Sequence, residues 1–137
     1  MVRGGRLFKR YEVKPGKAPP AGFEPANAVD ENTGKQQGWR HVGDGPEDAY
    51  YREAFTGTEP DGTYEMCGPK VHGGVEGFAT HVLIPHGQHP VDAPRTFAGL
   101  REWLATAGIE GVVWHHADGR MVKIKAKDFG VRRIAND

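Results

Sequence analysis

The chain is short of several things, and each shortage excludes something. It has one cysteine, Cys67, so no disulfide can form within it and no cysteine-based zinc ribbon can be built. No apolar run approaches the ~20 residues that a membrane-crossing helix needs. The first residues, Met1-Val2-Arg3-Gly4-Gly5-Arg6, offer no apolar stretch of signal-peptide length, so no membrane partner is expected and a cytoplasmic location is. Net charge is also lacking: 18 basic residues balance 18 acidic ones among 137, which excludes a strongly basic, histone-like binder and an acidic tail. Large apolar residues are scarce, with 26 Leu, Ile, Val and Phe, whereas 20 Gly and 10 Pro promise many turns. The length fits a single domain with a thin core.

Strand and helix signals are nonetheless present. Arg6–Val13 alternates as a strand, with Leu7, Lys9, Tyr11 and Val13 on one side and Phe8, Arg10 and Glu12 on the other. Residues 15–44, rich in proline and glycine and poor in large apolar residues, are expected to form a long loop. Pro46-Glu47-Asp48 opens a short helix through Phe55, and Thr63–Cys67 and His81–Ile84 are short strands. The clearest helix is Thr96–Ala107, where Phe97, Leu100, Trp103, Leu104 and Ala107 recur at helical spacing between a capping Thr96 and a terminating Gly108.

Ile109–His116 and Arg120–Lys125 are apolar-rich runs joined by Ala117-Asp118-Gly119, which predicts a β-hairpin. A two-residue Asp118-Gly119 turn would pair Trp114 with Lys123, Val112 with Lys125 and Glu110 with Lys127. Glu110, Val112, Trp114, Lys123, Lys125 and Lys127 would then share one face, and Gly111, Val113, His115, Val122, Ile124 and Ala126 the other. Lys123 and Lys125 would stand roughly 6.5–7 Å apart along the strand. Two ammonium groups so placed repel unless an anion lies between them. A polyphosphate would serve, with Glu110 able to hold a divalent metal that bridges phosphate oxygens. The plainer alternative is a solvated outer face, its lysines discouraging edge pairing.

The order of motifs favours the first alternative. Glu110-Gly111-Val112-Val113-Trp114 followed by Lys123-Ile124-Lys125 resembles motifs IV and V of the covalent nucleotidyltransferase superfamily, in its ATP-dependent RNA ligase branch. Asp61-Gly-Thr-Tyr-Glu-Met-Cys-Gly-Pro-Lys70 is similar to motif III, with Glu65 at its acidic position. Arg6–Val13 resembles the segment just past motif I, with Arg10 at the basic position. The resemblance implies an α+β fold of antiparallel sheets with one main helix, part of a nucleotidyltransferase (ATP-grasp-like ligase) domain, with residues 126–137 as a tail. It implies ATP and Mg2+ or Mn2+ as cofactors, RNA ends as partners and a role in RNA repair. In such ligases a lysine attacks the α-phosphate of ATP to give a lysyl–AMP adduct; the adenylate passes to an RNA 5′-phosphate, and a 3′-hydroxyl displaces AMP. By resemblance Lys123 and Lys125 contact the nucleotide phosphates, Glu110 serves the metal, Glu65 bonds the nucleoside sugar, Arg10 meets phosphate or the nucleic-acid end, and Trp114 belongs to the nucleotide site.

One element of the resemblance is missing. Motif I is Lys-x-Asp-Gly, and no such tetrapeptide occurs; before Asp61-Gly62 the lysine position holds Glu59. The chain is therefore expected to be an N-terminally incomplete domain, one half of a split ligase, or a degenerate relative, and not to self-adenylylate alone. The first two predict an open sheet edge at Arg6–Val13, able to pair with a second chain or another copy. The non-enzymatic alternative is a single-stranded RNA-binding module, in which Arg120, Lys123, Lys125, Lys127, Arg132 and Arg133 interleave with Trp114 and Phe129. Of the seven histidines, His81, His86 and His89 lie close together, but no thiol or carboxylate follows at metal-ligand spacing, and turn and strand-end roles are expected. Cys67 is expected to be inert packing.

Overall fold

A computed structural model describes residues 1–132, and Arg133 of the basic stretch and the end of the predicted tail lie outside the described residues. The elements run β1 (Val2–Arg3), β2 (Arg6–Val13), β3 (Glu24–Pro25), β4 (Gln36–His41), α1 (Ala49–Ala54), β5 (Tyr64–Cys67), β6 (Val82–Pro85), α2 (Phe97–Thr106), β7 (Gly111–His115) and β8 (Met121–Lys125). The fold is α+β: one four-stranded sheet in the order β1-β2-β4-β3 and two antiparallel ribbons, β5-β6 and β7-β8. A 3-10 turn, Pro46–Asp48, leads into α1, and another, Ala126–Phe129, occupies the start of the predicted tail.

β2 has the predicted limits. Its partners were not foreseen. Gly4 and Gly5, both at positive φ, make the two-residue turn that folds β1 back on β2. The predicted loop at 15–44 contains β4, which pairs with β2 from Phe8↔His41 to Val13↔Gln36. Its sequence hides it because the cross-strand contacts are polar. Gln37 donates to Glu12 at 2.6 Å and accepts from Arg10 at 3.2 Å, while Lys35 pairs with Glu12 at 3.1 Å. Gly38 is small by necessity, since a Cβ there would stand 2.3–2.5 Å from the Glu24 carbonyl and the Phe23 ring. The edge expected to be open along Arg6–Val13 is thus occupied on one side by β4. On the other side pairing reaches only Phe8, which exchanges hydrogen bonds with Met1. Strand alternation then leaves the backbone groups of Arg10 and Glu12 facing outward without a strand partner among the described residues.

Two small cores follow. Val2, Leu7 and Val42 form the first, with Tyr51, Phe55, Tyr64 and Leu83 packed on it. Beside it Asp48, 2% exposed, accepts from the Lys9 ammonium and from the Gly43 N–H at 2.7 Å. Burial alone would raise the Asp48 pKa; the Lys9 and Gly43 hydrogen bonds outweigh it and hold the carboxyl below its ordinary value. Ala93, Leu100 and Val112 form the second core, with Trp103, Ile109, Trp114, Ile124 and Phe129 around them. α2 begins as predicted: the Thr96 hydroxyl accepts the Gly99 N–H at 3.2 Å, and Gly108 follows the helix in the left-handed region. Phe97 departs from the predicted buried stripe. It is 73% exposed, with its ring edge-on to Phe129 at 4.9 Å between ring centres.

The register of β7-β8 differs from the expected one by a single residue. Gly111 pairs with Lys125, Val112 with Ile124, Val113 with Lys123, Trp114 with Val122 and His115 with Met121. The connection is a three-residue loop, Ala117-Asp118-Gly119, closed by the His116 N–H donating to the Arg120 carbonyl at 2.8 Å. A two-residue turn would need positive φ at both Asp118 and Gly119. Only Gly119 takes it, at 89°, so the loop gains a residue. A one-residue slip turns β7 over relative to β8. Val112 and Trp114 therefore share a face with Ile124 and Val122 and pack toward α2. Gly111, Val113 and His115 share the other face with Lys123 and Lys125, so Trp114 does not stand on the lysine face.

Candidate nucleotide site

Lys123 and Lys125 project from one face of β8, as their spacing requires, and Glu110 joins them. Glu110 lies just before β7, where its carbonyl accepts the Ala126 N–H at 2.9 Å. From there its carboxylate accepts a hydrogen bond from the Lys125 ammonium. This contact survives the register change because Glu110 stands outside the paired strand. The hydrogen bond to Lys125 holds the Glu110 carboxyl below its ordinary pKa against the opposing effect of burial, and the charges of Lys125, Lys123 and His72 add to it. The same hydrogen bond raises Lys125, again against burial. Among the described residues Lys123 has no carboxylate at ion-pair distance, and it is exposed.

Gly111 sets the geometry. A Cβ there would fall 2.2 Å from the Ile124 carbonyl oxygen and 2.8 Å from the Lys125 Cα, so only glycine lets β7 approach β8 next to the glutamate. The glycine of the Glu-Gly-Val run is thus explained by backbone contact.

Glu65 faces this region from β5. One side of the β5-β6 ribbon puts Tyr64 and Leu83 on the first core. The other side carries Glu65 and Ile84, which line a cavity of about 240 Å³ together with Gly111, the cross-strand partner of Lys125. His86 borders the same cavity and is fixed by its Nδ1 contact with the Thr63 hydroxyl at 3.0 Å. Gly111 is thus where the cavity of Glu65 meets the ribbon that carries Lys123 and Lys125. Arg10 lies elsewhere, in the four-stranded sheet, bonded to Gln37. Trp114 lies on the opposite face of the ribbon.

His72 was not singled out from the sequence. It stands in a short 3-10 turn and is the single non-glycine residue at positive φ among the described residues, at 46°. Only the glycine-rich run around it hinted at an unusual backbone. His81 is buried, with Nδ1 2.9 Å from Glu53 and its ring stacked on Tyr50 at 4.2 Å, a strand-end structural role. No group of three or more His, Cys, Asp or Glu is arranged to hold a metal among the described residues. Mg2+ is commonly held by one or two carboxylates together with substrate phosphates, and the partly exposed Glu110 beside two lysines suits that mode.

A family model described as RNA ligase 1 matches residues 58–137. RNA ligase 1 of Danio rerio is 31% identical over 80 residues, covering 51% of this chain and 25% of its own. RNA ligase 1 of Pongo abelii is 30% identical over 83 residues, covering 50% of this chain and 24% of its own. The chain spans about a quarter of the length of these curated relatives. The family match takes in β5 to β8, with Glu65, Glu110, Lys123 and Lys125, and begins after the four-stranded sheet that carries Arg10. With more than half of its residues matched, including all four of those side chains, the chain belongs to the RNA ligase 1 family.

Proposed function

We propose that the Glu110–Lys123–Lys125 face binds the phosphates of ATP in an RNA ligase-like nucleotidyl transfer. The observation that carries this reading is the shared face of Lys123 and Lys125, with a carboxylate bonded to one ammonium and, among the described residues, none at ion-pair distance from the other. A polyphosphate entering there relieves the repulsion between the ammoniums and competes with Glu110 for Lys125. Glu110, once released, would hold a divalent ion, which neutralises phosphate charge when bound. Glu65 would accept hydrogen bonds from the nucleoside sugar across the cavity that it shares with Gly111. RNA ends are the acceptor in this reading.

The chain supplies binding and charge but no Lys-x-Asp-Gly nucleophile, so it does not self-adenylylate on its own. Lys125 is not a substitute, because the Glu110 hydrogen bond pushes its amine further toward the charged form. Incubation with labelled ATP and Mg2+, followed by intact mass, is expected to leave the mass unchanged, while equilibrium dialysis detects bound ATP that is lost in Lys123→Ala/Lys125→Ala. Gain of one AMP would overturn the first claim; undiminished ATP binding by the double variant would overturn the second.

A further inference from the structure

The β7-β8 ribbon has a second concave surface, on the side away from the paired lysines. It is an open groove of about 870 Å³ between the start of α2 and the hairpin tip. Its floor is apolar and includes Trp114, with Val122 64% exposed beside it. Its rim carries Arg95 and Arg120, both exposed. Among the described residues no carboxylate lines it, and Asp118 in the turn is held by Arg120 at 2.8 Å and by His116 at 2.9 Å. The Arg120 side chain remains 77% exposed, which leaves guanidinium N–H groups available to another anion.

We propose that this groove is a binding track for single-stranded RNA, with a base on Trp114 and phosphates at Arg95 and Arg120. The chemistry is matched on both counts. An indole floor accepts the π-face of any base, and arginines at the margin accept phosphate oxygens. A groove with exposed arginines and, among the described residues, no free acid disfavours an ordinary apolar polypeptide, which would leave those charges unanswered. The groove also connects with the lysine face. His115 and Met121 border it, yet they share their face with Val113 and Lys123, one strand step of roughly 7 Å away. A strand whose end lies at Lys123 and Lys125 can therefore pass around the hairpin tip into the groove. The choice of RNA among polyanions rests on the ligase-like reading above; the aromatic and cationic character of the groove does not.

The test is fluorescence anisotropy of a short labelled single-stranded RNA with the 137-residue chain, alongside ATP binding. Both arginines are exposed, so Arg95→Glu/Arg120→Glu is expected to fold with an unchanged thermal midpoint. It should lose about tenfold or more in RNA affinity, and its salt slope should fall by about 1.4, the value for two lost single-strand phosphate contacts. Trp114→Leu should lose about tenfold as well. ATP binding by the arginine variant should match the parent. RNA affinity of the arginine variant within twofold of the parent would overturn the track, as would sedimentation showing that the groove instead pairs two copies of the chain. If RNA binding follows these expectations while ATP binds to neither protein, the track stands and the nucleotide reading falls.

Discussion

Two lysine–carboxylate pairs, one in each half of the molecule, use the same groups for different ends. Lys9 and Asp48 join β2 to the turn before α1, with side chains 16% and 3% exposed. Lys125 and Glu110 sit on the terminal ribbon at 28% and 34%, with Lys123 beside them. Removing one partner of a buried pair strands a charge where water cannot reach it. Removing one partner of a half-exposed pair costs little, because water and salt take its place. The first pair therefore holds the four-stranded sheet to α1, and the second is the pair proposed to exchange partners with a ligand. The family match covers the ribbon with the more exposed pair and leaves out the sheet.

The largest expected effect is on the buried pair. Asp48→Ala should destabilise the chain by about 3–5 kcal/mol, measured by denaturant titration, because Lys9 and the Gly43 N–H both lose their acceptor. A loss below 1 kcal/mol would remove the contrast between the two pairs. Leu100→Ala, in the second core, should cost about 2–4 kcal/mol. Hydrogen exchange should show this loss first in α2 and β7, with β2 and β4 amides still protected; uniform loss of protection would mean that the two cores fold as one unit. Gly111→Ala should cost about 1–3 kcal/mol by forcing β7 from β8, and should weaken ATP binding by shifting the strand that carries Lys123 and Lys125. Glu110→Gln should change stability by less than about 1 kcal/mol while abolishing the metal dependence of ATP binding.

Acid sharpens the same comparison. Asp48 and Glu110 both have folded-state pKa values below their ordinary ones, so each contributes stability that is present above the ordinary carboxylate range and lost as pH falls through the folded value. Lys125 has a raised value, so its contribution is present at neutral pH and lost only as pH rises through that value. Acid titration by NMR should show the Asp48 transition accompanied by loss of the β2-β4 amide signals. The Glu110 transition should be confined to the ribbon, and a joint transition would mean that the two halves are coupled.

How far the sequence was legible depended on where its contacts are made. β2, α1, β5 and α2 were readable from alternation, helical spacing and caps, because these depend on neighbours within a few residues. β4 was not, since its strand character comes from Gln37 meeting Glu12 and Arg10 rather than from an apolar pattern. At the candidate site, the common face of Lys123 and Lys125 follows from period-two geometry on one strand. The position of Trp114 does not, because it depends on register across a turn, and a left-handed conformation at Gly119 but not at Asp118 set that register.

The amino-acid sequence by itself determined the chain's family, through the resemblance and order of its motifs, and its main elements and the two ammoniums on one strand face, which are properties of local spacing. Tertiary structure alone decided that Glu110 meets Lys125, that Glu65 and Gly111 share a cavity, and that the indole turns away from the lysines. Those outcomes depend on how strands slide and sheets stack, and a shift of one residue between two strands reverses which side chains can meet.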